Sequence, residues 1–233
     1  MTTEVERTNI RKTANMRSLI DSVMSKGRIT VKKIEASDAA DLKALTEDPA
    51  VYKYLPALLF EKKYDDVGEM IAGLYDEEID DSLILGIYAR KKFCGIIELY
   101  GYRKEKRKIS VGYRLLKRYW GWGIATSALS IIVDHLCKDP CIDVVTASTI
   151  SENVAAEKVL EKNGFTLIER GVYEHWGAEE PVLVDKWSRK ATKQIGKECE
   201  PFDQEETNGE TDPTKGKNTF VCRLKKLFSR RGK

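Results

Sequence analysis

The spacing of hydrophobic positions switches repeatedly between helical and strand periods along the chain. Over residues 15–26, Met16, Leu19, Ile20, Val23 and Met24 recur at helical spacing, which predicts a helix packed on a domain or formed against a partner. Residues 29–34 read as a strand. Ser37 is placed to cap a helix running through Leu45 and stopping near Asp48-Pro49. A second helical region covers about 63–75. Residues 83–90 and 93–100 predict two strands of an antiparallel hairpin around a Lys91-Lys92 turn. Another strand covers 109–115. Ala125, Ala128, Leu129, Ile132 and Leu136 form one stripe of a helix stopped by Asp139-Pro140. A buried-type strand at 142–149 precedes a helix over 153–163, with Gly164 at its C-terminal stop. Strands near 165–170 and 182–187 close the series. This order predicts an α+β domain with a mixed, mostly antiparallel sheet.

Composition redraws the ends. Hydrophobic residues make up 42% of the 233, enough for one sizeable core. Residues 191–218 turn polar and cannot bury enough apolar surface to offset chain ordering, which predicts a disordered linker. In 219–233, Phe220, Val221, Leu224, Leu227 and Phe228 share one helical face among six cations and no acid. That pattern suits an amphipathic contact with an anionic membrane surface. A plain basic tail and a helix docked on its own domain are the alternatives. The net charge is +3. With six cations in this tail, the rest of the chain is net negative, which argues against nucleic-acid binding. No apolar run reaches the ~20 residues of a membrane span, and no secretory signal opens the chain. Five scattered cysteines suggest reduced thiols and a cytoplasmic location, with part of the protein at the membrane if the tail docks there. Cys137, Cys141 and His135 lack a fourth ligand and a ligand loop. Buried small residues at a helix end account for them better than a metal, so no metal is expected.

The candidate chemistry lies in Tyr119-Trp120-Gly121-Trp122-Gly123-Ile124-Ala125-Thr126, between the 109–115 strand and the 125–136 helix. Two glycines spaced by one residue let the backbone approach a ligand and aim the helix's first unpaired N–H groups at it. That arrangement suits a pyrophosphate. A plain glycine turn joining strand to helix is the alternative.

A second run, Asn153-Val154-Ala155-Ala156-Glu157-Lys158-Val159-Leu160-Glu161-Lys162-Asn163-Gly164-Phe165, follows one strand later. Together the two runs resemble the GNAT superfamily of acetyl-CoA-dependent N-acetyltransferases. Within it they are similar to the branch that acetylates ribosomal-protein N-termini. Ile29-Thr30-Val31, Ser37-Asp38-Ala39, Asp48 to Pro56 and Val111-Gly112-Tyr113-Arg114-Leu115-Leu116 carry the same likeness, over about 28–190. The domains expected are an N-terminal extension at 1–27, an acetyltransferase domain at 28–190, the linker at 191–218 and the tail at 219–233. The resemblance implies a sheet with helices on both faces and a splayed central strand pair, and acetyl-CoA as co-substrate. The acyl-CoA motif Q/R-x-x-G-x-G/A fits Arg118, Gly121 and Gly123 literally. The branch places it two residues later, on Trp120, Gly123 and Ala125. The later register starts the helix where its apolar period begins. It makes Gly121, Trp122, Gly123, Ile124, Ala125 and Thr126 the cradle and leaves the Arg118 side chain free to approach a phosphate.

The resemblance also implies that the strand around Tyr113, Arg114 and Leu115 diverges from its neighbour. A backbone N–H there would bond the thioester oxygen, and the pantetheine would pair in the slot. Asn153 would bond the cofactor, cap its helix, or do both. The acceptor is a primary amine, on a peptide N-terminus or a small molecule. Such an amine must lose a proton before attack. Where the family's usual base, acid and serine would stand, this chain has Ser110, Leu160 and Ala156. Glu98 on the preceding strand is the candidate base if it faces the cleft, and an outward hairpin charge if it does not. Tyr113 and Tyr173 are further candidate donors to the thiolate, and Cys94 reads as a strand residue. A non-catalytic acyl-CoA-binding regulatory domain is the alternative function. The acids of the 51–80 region would attract a cationic amine, or form a solvated face.

Overall fold

Eight strands, all antiparallel to their neighbours except one central pair, build the sheet that positions the site. The computed structural model describes residues 19–54, 66–75, 82–176 and 180–191. The strands are β1 (Met24–Lys26), β2 (Ile29–Lys32), β3 (Ser82–Ala89), β4 (Lys92–Arg103), β5 (Lys108–Leu115), β6 (Val144–Ile150), β7 (Thr166–Glu174) and β8 (Val182–Lys190). Their order across the sheet is β1-β2-β3-β4-β5-β6-β8-β7, and β5–β6 is the parallel pair. The helices are α1 (Ala39–Glu47), α2 (Val67–Gly73), α3 (Ile124–Leu136) and α4 (Val154–Lys162). This is the mixed, mostly antiparallel α+β fold expected from the sequence.

Strand alternation divides the core in two. Ile97, Leu99, Ile109, Val111, Val145 and Trp187 point to the face that carries Leu129, Ile132 and Leu136 of α3 and Leu160 of α4. Ile84, Tyr88 and Ile96 point to the other face, under Leu42 and Leu45 of α1 and Met70 and Ile71 of α2. Each fully buried Leu or Ile contributes roughly 1.5–3 kcal/mol, so both helix pairs are held chiefly by these stripes.

Several expectations shift. The N-terminal helix does not continue to Lys26: residues 24–26 are an edge strand paired with β2, and Val23 is exposed. Leu19, placed in the N-terminal extension, is fully buried in the larger core. The cap expected from Ser37 comes instead from a 3₁₀ turn, Ala36–Asp38, where the Asp38 carboxylate accepts from the Glu35 N–H at 2.9 Å. The β3–β4 turn is Arg90-Lys91, one residue earlier than expected. Both residues have positive φ (49° and 67°), a shape usually given to Asn-Gly. Cys94 and Cys137 are buried free thiols. The linker at 191–218 (beyond Ala191), the tail at 219–233 and residues 1–18 lie outside the described residues. So do the acids Glu61, Asp65, Asp76, Glu77 and Glu78. Among the described residues no helix is long and apolar enough to cross a membrane.

Candidate functional site

β5 carries the site because its two sides differ. Against β4 it is paired from Arg103–Lys108 through to Gly95–Leu115. Against β6 it is paired only at Lys108–Val144, Ile109–Val145 and Ser110–Thr146. From Val111 onward the two strands separate, while β6 stays paired with β8 to Ile150. The divergence therefore begins slightly before the Tyr113 to Leu115 stretch where it was expected.

Ladder alternation decides which backbone groups face this gap. The Leu116 N–H donates to the Cys94 carbonyl at 2.9 Å. Alternate N–H groups point the same way in an antiparallel pair, so those of Arg114 and Gly112 face β4, and those of Tyr113 and Leu115 face the gap. The Leu115 carbonyl, pointing away from β4, accepts from the Trp120 indole at 2.8 Å. Trp120 thus ties the loop to the end of β5.

The loop then opens into α3. Gly121 and Gly123 have φ of 77° and 73°, the left-handed region that glycine adopts without strain. A Cβ at either would meet nothing within 4 Å, so the space over both is open. Gly123 is the N-cap of α3, and no side chain caps it. The first intrahelical bond runs from the Ser127 N–H to the Gly123 carbonyl (3.0 Å), which leaves the amides of Ile124, Ala125 and Thr126 without helical partners. The α3 start agrees with the later motif register. Trp122 is 77% exposed on this loop. An open, uncapped cradle with a positive helix end fits an anionic group such as pyrophosphate.

The Arg118 expectation needs correction. Its guanidinium is paired with Asp41 of α1 and lies 5.0 Å from the Tyr119 ring centre, so it is not free to reach a phosphate. Its register position puts it in the Lys117–Tyr119 turn that packs back toward α1.

Tyr113 stands in the gap. Its hydroxyl donates to the Ala156 carbonyl in α4 at 3.3 Å, and burial raises its pKa, so the phenol stays protonated near neutrality. Tyr173 lies on the edge strand β7, 72% exposed, with β8 between it and β6. Asn153 caps α4: its carbonyl oxygen accepts from the Ala156 N–H at 3.1 Å. Asn163, at the other end, donates to the Thr126 and Val159 carbonyls (3.2 and 2.8 Å) and ties α4 to the first turn of α3.

The opposite face of the sheet holds Glu98. It is half-buried on a central strand, between Ile84 of β3 and Gly112 of β5. Burial, with the Glu98 and Glu174 carboxylates nearby, pushes the Tyr100 phenol up. On this face lie the Ser110–Thr146 hydroxyl pair (2.9 Å) and Lys186, which bonds Ser148 at 3.3 Å and is ion-paired with Glu174. Burial opposes ionisation of Glu174, but bonds from Lys186 and Trp176 outweigh it and hold its carboxyl low. Arg114 is buried here too, its guanidinium 3.3 Å from the Tyr52 hydroxyl. Leu160 is fully buried in the α3–α4 core, and Cys94 is buried with its thiol pushed up by burial. Two features escape a motif reading: the Trp120 indole bond and the buried Asp185. For Asp185 the available signal is an acid in phase with Trp187 on β8.

The profile of the Acetyltransferase (GNAT) domain matches residues 28–166. An uncharacterized N-acetyltransferase, p20, of Bacillus licheniformis is 24% identical over 160 residues, covering 68% of this chain and 89% of that protein. Among solved structures, the RimL ribosomal L7/L12 alpha-N-protein acetyltransferase in complex with coenzyme A superposes with a TM-score of 0.61 at 14% identity. The match covers 72% of this chain and 98% of that one. A spermidine N-acetyltransferase from Vibrio cholerae in complex with CoA and spermine gives a TM-score of 0.58 at 17% identity, over 71% and 97%. At these identities the superpositions show a shared fold.

Proposed function

The chain belongs to the GNAT acetyltransferase family, and from that premise we propose that it transfers the acetyl group of acetyl-CoA to a primary amine by direct attack in a ternary complex. The observation that carries this reading is the gap between β5 and β6, followed in the chain by the uncapped start of α3. The two solved neighbours act on a ribosomal-protein terminus and on spermidine, which supports a primary-amine acceptor.

Acetyl-CoA, when bound, supplies an acetyl thioester. The amides of the Gly121, Trp122, Gly123, Ile124, Ala125 and Thr126 loop hold its pyrophosphate, and this remote binding energy orients the acyl end. The Tyr113 and Leu115 N–H groups, facing the gap, donate to the thioester oxygen and to the pantetheine. The pairing along β4 keeps these donors in place before reaction. Arg114 contributes its backbone position only, since its side chain sits on the opposite face against Tyr52. Asn153 caps α4 and so shapes the far wall. Glu98 takes the amine proton, directly or through a water. Its strand position beside Gly112 puts it on the face away from α3, from which an acceptor reaches the gap without crossing the cofactor.

One observation favours a second reading, a non-catalytic acyl-CoA-binding domain. Ser110 spends its hydroxyl on Thr146, and Leu160 and Ala156 offer no proton donor. Calorimetric titration with acetyl-CoA, followed by a turnover assay on peptides and polyamines, separates the two. Binding with turnover supports transfer, binding without turnover supports the second reading, and no binding overturns both. The basic stretch 219–233 is read as an anchor that brings a cytoplasmic enzyme to anionic membrane. Vesicle sedimentation with and without it tests that reading.

A further inference from the structure

The far wall of the gap lacks the ladder that fixes the near one. Beyond Ser110–Thr146 no strand pairing sets how far α4 stands from β5. What does reach α4 is a buried polar cluster centred on Asp185 of β8, whose residue is 0% exposed. Its Oδ1 accepts from the Ser151 hydroxyl at 2.6 Å and from the Gly171 N–H at 3.0 Å. Its Oδ2 accepts from Arg170 at 2.8 Å, and Arg170 also lies 3.4 Å from Glu157 in the first turn of α4. The β7 backbone shifts register here, between Glu169 and Val172, with φ of 67° at Gly171, and this brings the Gly171 N–H to the carboxylate.

From Ser151 the connection runs on to the gap. Ser151 opens the turn between β6 and α4, and the Asn153 N–H closes that turn on the Ile150 carbonyl at 2.8 Å. Asn153 caps α4 through Ala156, and Ala156 accepts the Tyr113 hydroxyl from β5. We infer that Asp185 is a positioning residue: through Ser151 it fixes the β6–α4 turn, and with it the wall that Asn153 and Ala156 present to bound CoA. A fully buried carboxylate is costly to keep unless its donors are fixed. Three donors from two segments, the β6–α4 turn and β7, meet that condition and tie the turn to β7. The inference rests on the reading that the gap holds CoA.

The test uses the full-length protein, CoA titrated by calorimetry, and the unliganded protein's thermal midpoint and amide exchange over 151–156. Ser151→Ala is expected to weaken CoA binding about tenfold, the effect of losing one bond to a charged group, and to speed exchange in that turn. Ser151→Thr, which keeps the hydroxyl, should bind within about twofold of wild type. Asp185→Ala combined with Ser151→Ala should bind no worse than Asp185→Ala alone, because both act through one bond. If Asp185→Ala does not fold, the Ser151 pair decides. A lower thermal midpoint with unchanged CoA affinity in Ser151→Ala would make the cluster merely structural and overturn the inference. Additive losses in the double variant would do the same. A wild-type protein that does not bind CoA would overturn the proposed function itself, a result visible before any variant is made.

Discussion

β4 and β6 flank the same strand, yet β4 follows β5 to Gly95–Leu115 whereas β6 leaves it after Ser110–Thr146. On the β4 side the backbones are in close contact: a Cβ on Gly95 would lie 2.1 Å from the Arg114 carbonyl oxygen. On the β6 side the amides of Tyr113 and Leu115 have no strand partner, and at Gly121 and Gly123, further along the chain, an added Cβ meets nothing within 4 Å. One side of the strand is consumed by folding, and the other is left without a strand partner. Glycines serve both sides for opposite reasons, close contact at Gly95 and left-handed geometry beside an open cradle at Gly121 and Gly123.

Substitutions can break this contrast. The largest effect is expected at Gly95→Ala, where the new carbon meets backbone that cannot turn aside. Destabilisation of about 3 kcal/mol or more, read by denaturant or thermal unfolding, is expected. A folded variant of normal stability would mean that the β4–β5 contact yields. Gly123→Val should act on the open side instead. It should weaken acetyl-CoA binding by roughly 100-fold, while the left-handed φ costs about 1–3 kcal/mol of stability. Unchanged affinity in the folded variant would remove the loop from the binding site.

Glu98→Gln sharpens the comparison on the opposite face. Turnover at neutral pH is expected to fall roughly 10²-fold with cofactor affinity intact. A loss below about threefold would pass the proton to water. Tyr113→Phe removes only a 3.3 Å bond to Ala156 across the gap. A net effect of about 0.5–1.5 kcal/mol on CoA binding is expected, with stability nearly unchanged. The smallest expected effect is that of deleting 219–233: transfer to a soluble amine should stay within about twofold, and an abolished reaction would move the domain boundary at 190.

How much of this could be read in the sequence follows the same division. The stripe Ala128, Leu129, Ile132 and Leu136 and the alternation in β3, β4 and β5 carry their elements, because burial on one face imposes a period. Gly123 followed by Ile124 marks the start of α3 correctly. What periodicity cannot carry is pairing. Residues 24–26 suit a helix face as well as an edge strand, and the partner Ile29–Lys32 decides between them. Arg118 shows the same limit at the site. Its place in the motif suggests a phosphate ligand, but Asp41, 77 positions away in the chain, takes its charge. For Glu98, register supplies what periodicity lacks, a place beside Gly112 on a central strand. Asp185 gave no motif at all, since its donors come from Ser151 and from Arg170 and Gly171, two segments distant from it in the chain.

The most direct test of the account reads the backbone amides of β5 by NMR, with hydrogen exchange measured with and without CoA. The account predicts that the Tyr113, Leu115, Ile124, Ala125 and Thr126 amides shift and gain protection when CoA is added, while those of Gly112 and Arg114, already bonded to β4, change little. CoA binding that leaves the Tyr113 and Leu115 amides unaffected, or that perturbs the β4-facing amides instead, would contradict it.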